Sequence, residues 1–166
     1  MTAKNLLPDH TIVVTGAATG IGQAFALGAA SQGAHVVVAD MNAADETMDI
    51  IKTHGGHATY VKVDVSDDTS TRAMAEAAIK ATGRIDGLIN NAAYFREVKL
   101  TPFEELSESE WDRIFQVNVK GIWLCCKAVM PAMRERKRGS IVNIASVVAV
   151  AGQPGYLHYV ASKGAV

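Results

Sequence analysis

Short apolar runs alternate with longer amphipathic stretches along the chain. Five of the apolar runs are predicted to be β-strands: TIVVT (11–15), HVVVAD (35–40), ATYVKVDV (58–65), RIDGLIN (84–90) and SIVNIAS (140–146). The first two have continuous apolar centres, which indicates parallel strands buried on both faces. Helices are predicted in the intervals at 23–32, about 43–54, 66–82, 107–138 and 156–166.

Strands that alternate with helices predict an α/β fold, here a doubly wound parallel sheet with right-handed crossovers in three αβα layers. We expect the strand order 3-2-1-4-5, with ligands bound at the carboxyl ends of the strands where the order reverses. No internal repeat or linker divides residues 1–166, so the chain is predicted to form one domain.

Composition excludes several classes of protein. Hydrophobic residues make up 49% of the chain and charged residues 20%, as in ordinary globular domains. The formal net charge of -1 creates no field that would favour nucleic acid or an anionic membrane. No apolar run approaches the ~18 residues of a membrane span. The first ten residues lack the apolar core of a signal peptide, so a cytoplasmic protein is expected.

Cysteine and histidine spacing predicts no metal site. Cys125 and Cys126 are adjacent within an apolar helical pattern, which favours packing over a disulfide or metal ligation. His54 and His57 flank two glycines, and no acid or cysteine completes a ligand set around them. A solvent-exposed loop is therefore expected there.

A glycine-rich turn joins the first predicted strand to the first helix. Gly16, Gly20 and Gly22 follow the spacing G-x-x-x-G-x-G, with Thr19 and Ile21 among the intervening residues. Strand, glycine turn and helix form the setting of a dinucleotide site, because helix-terminal amides can approach a pyrophosphate only where side chains are absent. The turn could also merely link the strand to the helix.

The stretch NIASVVAVAGQPGYLHYVASK (143–163) carries the strongest chemical signal. Tyr159 and Lys163 are four residues apart, so on a helix both side chains leave one face with Cβ atoms about 5–6 Å apart. A cation about 5 Å from a phenol, at an effective dielectric of ~20, favours the phenolate by roughly 3 kcal/mol and predicts a lowered tyrosine pKa. Ser146 ends the fifth apolar run, where its hydroxyl would reach the same edge of the sheet. An ordinary helix-surface pair is the alternative.

Ser146 with Y-x-x-S-K at 159–163, together with T-G-x-x-x-G-I-G at 15–22, resembles the short-chain dehydrogenase/reductase family. The resemblance implies a Rossmann-like fold and reversible hydride transfer between NAD and a secondary alcohol or ketone. By that resemblance, Tyr159 is the general acid/base, Lys163 lowers its pKa and holds the nicotinamide ribose, and Ser146 orients the substrate oxygen. A 3-oxoacyl thioester (acyl-carrier) reductase and a non-catalytic NAD-binding sensor are the alternatives.

Asp40 ends the second predicted strand, about twenty residues beyond the glycines. A carboxylate there can accept hydrogen bonds from the adenosine ribose hydroxyls and would repel a 2'-phosphate. The neighbouring Thr19, Met41 and Asn42 supply no basic group, so NAD is predicted rather than NADP. A turn-forming or helix-capping aspartate is the alternative.

Two further elements match the family by resemblance. Asp64-Val65 resembles the adenine contact, although Asp64 could equally cap the next helix, as could residues 66–68. Asn91 and Ala92, within Asn90-Asn91-Ala92-Ala93, resemble the N-N-A-G element that borders the cofactor. Because Ala93 replaces its glycine, we expect a negative φ or a shifted turn at that residue.

Asn118, in VNVKG, interrupts the long helix that the capping box S-x-x-E opens at Ser107. Asparagine is a poor helix-interior residue, since its amide competes for backbone hydrogen bonds. The resemblance implies a fourth catalytic residue, which bends this helix and positions a water in a proton relay to the lysine. A surface asparagine is the alternative.

Cations gather at the end of this helix, just before Gly139: Arg134, Arg136, Lys137 and Arg138. They complement the helix dipole and the glycine suits a carboxyl cap, so a solvated helix end is expected. The alternative is a docking patch for an acidic carrier protein.

Family members normally continue well beyond the Y-x-x-S-K motif, so this chain is expected to lack the usual carboxyl-terminal portion and to leave its fifth strand as an open edge. A homo-oligomer, dimer or tetramer, is expected for the complete protein, with a small-molecule alcohol or ketone as substrate. Several residues near the motif predict a mostly apolar pocket or, alternatively, part of the core: Val147, Val148, Val150, Tyr156 and Leu157.

Overall fold

The computed structural model describes residues 5–166. It contains one sheet of five parallel strands in the order β3-β2-β1-β4-β5, which confirms the predicted class and strand order. The strands are β1 (Thr11–Thr15), β2 (His35–Asp40), β3 (His57–Lys62), β4 (Gly87–Asn90) and β5 (Ser140–Asn143). The α-helices are α1 (Gly20–Ser31), α2 (Asp45–Thr53), α3 (Asp68–Thr82), α4 (Glu108–Phe115), α5 (Gly121–Glu135), α6 (Val148–Ala151) and α7 (Leu157–Gly164).

Helices cover both faces of the sheet. One core cluster joins β1 and β2 to α1 and α2, and includes Val14, Val36, Val38, Ala26 and Ile51. The other joins the opposite face to α3 and α5, and includes Val13, Val37, Leu88, Met74 and Val129. Successive valines of one strand therefore pack into opposite layers, as the two-residue period of a strand requires. All five residues of β1 are buried, which confirms the prediction of a strand covered on both faces.

Two strands end earlier than their apolar runs. β3 ends at Lys62 rather than at residue 65, because Asp64 turns the chain by accepting the Ser66 N–H at 2.9 Å. β5 ends at Asn143 rather than at residue 146, since its partner β4 ends at Asn90. The side chain of Ser146 is therefore carried by the loop beyond the strand, not by the strand itself.

β4 also begins later than predicted, at Gly87 rather than at residue 84. The residues before it form an ion pair, in which the Arg84 Nε donates to the Asp86 Oδ2 at 2.6 Å. The same carboxylate oxygen accepts the Thr11 N–H at 2.9 Å, so this pair fastens the start of β4 to the start of β1.

The helix predicted from residue 107 is divided into three parts, since a π-helical segment (Gln116–Lys120) separates α4 from α5. Ser107 caps α4 as predicted, with the Glu110 N–H donating to its Oγ at 3.2 Å. Asp67, one of the predicted caps, accepts the Ser70 N–H at the start of α3. Within the described part of the chain, no helix is both long enough and apolar enough to cross a bilayer.

The end of α5 differs from the predicted glycine cap. Lys137 adopts the left-handed conformation, with φ +52°, and its N–H donates to the Arg134 carbonyl while the Arg138 N–H donates to Met133. These bonds form a Schellman motif with lysine in the position that glycine usually takes. Gly139 is instead required by close packing, because a Cβ there would lie 2.5 Å from the Met133 Cγ.

Candidate active site

The glycine turn between β1 and α1 is shaped by both conformation and space. Gly16 and Gly20 have φ values of +67° and +63°, which few residues other than glycine adopt. A Cβ on Gly22 would collide with the Gly16 carbonyl oxygen and lie 2.5 Å from the Asn91 Nδ2. Within the described residues, the side chain of Thr19 at the cap position of α1 forms no hydrogen bond with the first amides of the helix. These amides can therefore receive an anion.

Asn91 holds this turn in place from the end of β4. Its Nδ2 donates to the carbonyl oxygens of Thr15 and Gly16 at 3.0 and 3.1 Å. The backbone N–H groups of Asn91 and Ala92 both donate to the Thr15 hydroxyl at 3.1 Å. Ala93 does not have a positive φ, which agrees with the expectation for an alanine in this position. The N-N-A-A element thus joins β4 to the glycine turn.

A cavity of about 410 Å³ opens where the strands end. It is lined by most of the predicted cofactor residues: Gly16, Thr19, Asp40, Asp64, Val65, Asn91 and Ala92. Gly20, Ile21 and Gly22 lie outside its lining, at the start of α1. The prediction missed other residues of the wall: Tyr94, Arg96, Glu97, Arg113 and Val117. The helix that carries Arg113 and Val117 was identified from its capping box and from VNVKG, but neither motif assigned these two residues to a cofactor site.

The Asp40 carboxylate is held by the backbone on both sides. Its Oδ2 accepts the Ala18 N–H, and its Oδ1 accepts the Asn42 N–H, each at 2.9 Å. The side chain is therefore fixed between the glycine turn and the residues after β2. The Oδ1 also accepts the Asn42 Nδ2 at 3.4 Å, whereas the Oδ2 keeps a lone pair for a further donor. Asp40 therefore shapes the wall and can also bind a hydroxyl group.

Asp64 and Val65, which follow β3, also line this cavity. The Asp64 Oδ1 accepts hydrogen bonds from the backbone and hydroxyl of Ser66 at 2.9 and 2.6 Å. Asp67, not Asp64, caps α3, so the capping alternative for Asp64 is wrong. Val65 is buried, and Gly121 passes so close that an added Cβ would lie 2.9 Å from the valine Cγ2.

Asn118 lies in the π-helical segment and is completely buried, so the alternative of a surface asparagine is wrong. Its Oδ1 accepts the Tyr94 N–H at 2.7 Å, and its Nδ2 donates to the Ser162 Oγ at 3.1 Å. The Ser162 hydroxyl donates in turn to the Tyr159 carbonyl at 2.8 Å. Asn118 therefore connects the cofactor cavity, through Tyr94, to the helix that carries Tyr159 and Lys163. Its role in a proton relay stays a prediction.

Lys163 is buried on α7 with 5% of its surface exposed. Its Nζ donates to the Ile144 carbonyl oxygen at 2.6 Å, so the ammonium group reaches the loop after β5. Burial lowers the pKa of Lys163. The hydrogen bond fixes α7 against the loop that also carries Ser146.

The structure brings Ser146 and Tyr159 together but changes one expectation. Burial raises the pKa of Tyr159, and the neighbouring Ser146 hydroxyl acts in the opposite direction by favouring the ionised phenol. The lowered pKa predicted from Lys163 is therefore wrong for this arrangement. The physical reason is that the phenol is partly removed from water, while the Lys163 ammonium is directed at the Ile144 carbonyl.

An aromatic cluster surrounds the phenol of Tyr159. The Phe95 ring lies 4.6 Å from the Tyr159 ring between centroids, at an angle of 39°. Tyr156 lies 6.1 Å from Phe95 and 6.4 Å from Tyr159. None of the sequence motifs includes Phe95, so its contact with Tyr159 was missed. Nothing in residue spacing joins positions so far apart.

Several apolar residues around the motif are exposed. Val147 and Val150 expose 74% and 88% of their surface, and Leu157 exposes 46%. The alternative that these three complete the core is therefore wrong for the described part of the chain. They form an apolar surface on the same segment as Ser146 and Tyr159.

His158 lies beside Tyr159 in sequence but is buried, with 3% of its surface exposed. Its Nδ1 has no hydrogen-bond partner among the described residues. Burial lowers the pKa of His158, although the Glu110 carboxylate acts in the opposite direction. The sequence gave no signal for this buried group.

Comparisons with known proteins agree with this geometry. Residues 10–166 match the family model for short chain dehydrogenases. The chain is 36% identical over 160 residues to a cyclopentanol dehydrogenase from Comamonas sp., covering 95% of this chain and 63% of the relative. It is 35% identical over 162 residues to the 3-oxoacyl-(acyl-carrier-protein) reductase FabG of Thermotoga maritima, covering 96% and 65%.

A solved structure gives the same result. The crystal structure of an NAD+-bound xylitol dehydrogenase superimposes with a TM-score of 0.91 at 31% identity, covering 96% of this chain and 62% of that one. The chain thus spans less than two thirds of the length of these relatives. With the family match over residues 10–166, the glycine turn and the paired Ser146 and Tyr159, the chain belongs to the short-chain dehydrogenase family.

Proposed function

We propose that the protein is an NAD-dependent oxidoreductase that interconverts a secondary alcohol and a ketone by hydride transfer. The observation that carries the proposal is the placement of Tyr159 one helical turn from buried Lys163, which fixes their helix to the loop that carries Ser146. These groups are connected through Asn118 to the cavity that the glycine turn and Asp40 border. A proton-transfer group and a dinucleotide site are the parts that such a reaction requires.

The residues of the cavity fit a dinucleotide. The uncapped amides of α1 suit a pyrophosphate, and Gly22 leaves the turn free of a side chain. Asp40 suits the adenosine ribose hydroxyls, and Asp64 with Val65 borders the place for the adenine. When bound, NAD supplies the acceptor for the hydride that leaves the alcohol carbon.

The chain's own residues handle the proton and the oxygen. Tyr159 removes the hydroxyl proton during oxidation and returns it to the carbonyl oxygen during reduction. Ser146 donates a hydrogen bond to that oxygen, where negative charge develops in the transition state. Lys163 and Asn118 hold α7 in place from two sides.

The first test is the substitution Tyr159→Phe. It removes the exchangeable proton while keeping the ring that packs on Phe95. We expect turnover of secondary alcohols with NAD to fall by about 10²–10⁴-fold, as for the loss of a general acid/base. The dissociation constant for NAD, measured by titration calorimetry, should stay within several-fold of the wild-type value. Turnover that is unchanged in this variant would contradict the proposed role.

Asp40 is proposed to select NAD over NADP. A second test compares kcat/KM for the two cofactors in the wild type and in Asp40→Asn. The neutral amide removes repulsion of a 2'-phosphate, so the preference for NAD should fall by about tenfold. Asp49→Asn, at an exposed position on α2, is the matched control and should leave the preference unchanged. A wild-type protein that prefers NADP would overturn this assignment.

The similarity to FabG keeps a 3-oxoacyl thioester reductase as the second candidate. The basic end of α5 does not support it as a docking patch. Arg136 lies 3.9 Å from Asp86, and Arg138 contacts His10 at 3.2 Å, so both reach the edge where the strands begin. Tyr159 lies at the opposite edge, where the strands end. Reduction of acetoacetyl-coenzyme A with NADH or NADPH distinguishes the two candidates.

A further inference from the structure

We infer that Phe95 determines substrate specificity and that the substrates are secondary alcohols or ketones with an apolar ring or a branched alkyl group. This inference rests on the proposed function and names its substrate class. Phe95 is 46% exposed, although one part of its ring packs on Tyr159. An exposed aromatic ring beside the proton-transfer group is an apolar surface at the place where the carbon skeleton of a substrate must lie.

The position of Phe95 is fixed by buried hydrogen bonds. The preceding residue, Tyr94, donates its N–H to Asn118, and Asn118 donates to Ser162, which donates to the Tyr159 carbonyl. Asn118 and Ser162 are both completely buried. The backbone beside Phe95 and the backbone of Tyr159 are thus joined through two side chains that solvent does not reach.

A second hydrogen bond attaches the same loop to the 143–163 segment, after Phe95 in the sequence. The Thr101 N–H donates to the Gly155 carbonyl at 3.0 Å, and a Cβ on Gly155 would lie 2.9 Å from the Leu100 Cδ2. The 94–106 loop is therefore attached to the 143–163 segment on both sides of Phe95. The contact between the Phe95 and Tyr159 rings follows from these two attachments.

The chemistry around the phenol favours apolar substrates. Residues 143–163 contain no aspartate, glutamate or arginine. Lys163 is engaged with the Ile144 carbonyl, and His158 is buried. On the neighbouring loop, Arg96 and Glu97 line the cofactor cavity. A polyol or a carboxylate would leave polar groups without partners against Phe95 and Val147, which disfavours binding.

The inference is tested in the intact protein with three alcohols and NAD: cyclohexanol, 2-butanol and xylitol. The wild type should give a kcat/KM for cyclohexanol at least tenfold above that for xylitol. Phe95→Ala should lower kcat/KM for cyclohexanol by about 10–100-fold, as expected for the loss of a large apolar contact. The loss in kcat/KM should be smaller for 2-butanol, which offers less surface to the ring. Phe95→Leu should keep a higher kcat/KM for cyclohexanol than Phe95→Ala does.

Phe103→Ala is the matched control, because Phe103 is on the same loop and 73% exposed. Phe103→Ala should leave the order of the kcat/KM values for the three alcohols unchanged. Equal losses for all three alcohols in Phe95→Ala would show that Phe95 only positions Tyr159, and would overturn the inference. A wild-type preference for xylitol would overturn it as well.

A binding measurement separates this inference from the proposed function. In the Tyr159→Phe background, binding of cyclohexanone in the presence of NADH is measured by titration calorimetry, with and without Phe95→Ala. Binding that weakens by tenfold or more supports the apolar subsite even if no alcohol is oxidised. Binding that is unchanged by Phe95→Ala overturns the subsite even if alcohols are oxidised. Failure of the proposed function appears separately, as absence of turnover by the wild type.

Discussion

The glycine turn and Asp40 lie beside strands that are buried on both faces, whereas Ser146 and Tyr159 follow an edge strand that is largely exposed. We call residues 11–40 the cofactor region and residues 143–163 the catalytic segment. Every residue of β1 is buried in the cofactor region, but in β5 Val142 exposes 49% of its surface. The cofactor region is therefore shaped by the packing of its backbone. The catalytic segment is shaped by a few individual side-chain contacts.

These contacts can be named. Lys163 binds the Ile144 carbonyl, and Asn118 reaches the segment through Ser162. Phe95 packs on Tyr159 from a loop outside the segment. The comparison teaches that single substitutions should separate cofactor binding from catalysis. A change that disturbs the glycine turn should weaken NAD binding strongly, while a change in the contacts of the catalytic segment should affect turnover and stability more than NAD affinity.

The largest effect is expected for Gly22→Ala. Its new Cβ would collide with the Gly16 carbonyl oxygen and press on the Asn91 side chain, both of which shape the glycine turn. Overpacking of this kind destabilises by about 1–3 kcal/mol, and the displaced turn should reduce NAD affinity by about 100-fold or more. Calorimetric titration with NAD and urea unfolding measure the two effects.

Gly28→Ala is the matched control in the same helix. A Cβ at Gly28 meets nothing within 4 Å, and alanine is favoured over glycine inside a helix by about 0.5–1 kcal/mol. This variant should therefore be slightly more stable and bind NAD normally. If both variants behave alike, the close approach at Gly22 is not what shapes the turn.

Asn118→Ala is expected to have the next largest effect. It leaves the Tyr94 N–H buried without its 2.7 Å partner and removes the donor to Ser162. A buried polar group without a partner costs about 1–3 kcal/mol, so the free energy of unfolding, measured with urea, should fall by about that amount. Turnover should also fall, because the loop with Phe95 and the helix with Tyr159 lose their connection.

Gln116→Ala is the control for that substitution, since Gln116 lies in the same π-helical segment and makes one long bond of 3.4 Å to the Ser66 carbonyl. Its effect on stability should be small. NAD affinity should change less in Asn118→Ala than in Gly22→Ala. The opposite order would break the division between the cofactor region and the catalytic segment.

The same division explains how far the sequence could predict the structure. In the cofactor region, β1 and β2 have the predicted bounds, because continuous apolar runs and glycine spacing depend on local backbone chemistry. In the catalytic segment, the strand was predicted to reach Ser146 but ends at Asn143, since pairing with β4 decides its length. The apolar residues continue beyond the point where the partner strand ends, so the apolar pattern could not show where β5 ends.

The predicted pKa of Tyr159 was wrong for a related reason. Helical spacing correctly places Lys163 one turn from Tyr159, but spacing cannot show that the ammonium donates to Ile144 or that the phenol is partly buried. The contact with Phe95 and the burial of His158 depend likewise on tertiary packing. The sequence motifs identify the groups that meet, and packing decides their electrostatics.

The smallest predicted effect compares one histidine from each region, of which His35 is half-buried and His158 is buried. Burial lowers the pKa of His35 in β2 and of His158 in α7. A base whose pKa is lowered by folding binds fewer protons in the folded state than in the unfolded state. Stability is therefore complete above the unfolded value of about 6.5 and is lost as the pH falls below it, by at most about 1.4 kcal/mol per pH unit for each histidine.

Urea unfolding between pH 7.5 and 5 in His35→Gln and His158→Gln measures each contribution. Each variant should show a shallower loss of stability with acid than the wild type, whereas His54→Gln, at an exposed position, should follow the wild-type slope. Because Tyr159 adjoins His158, acid should also reduce turnover before it reduces NAD affinity, and His158→Gln should remove that difference. If acid weakens NAD binding first, the cofactor region is the less stable one and the comparison between the two regions is reversed.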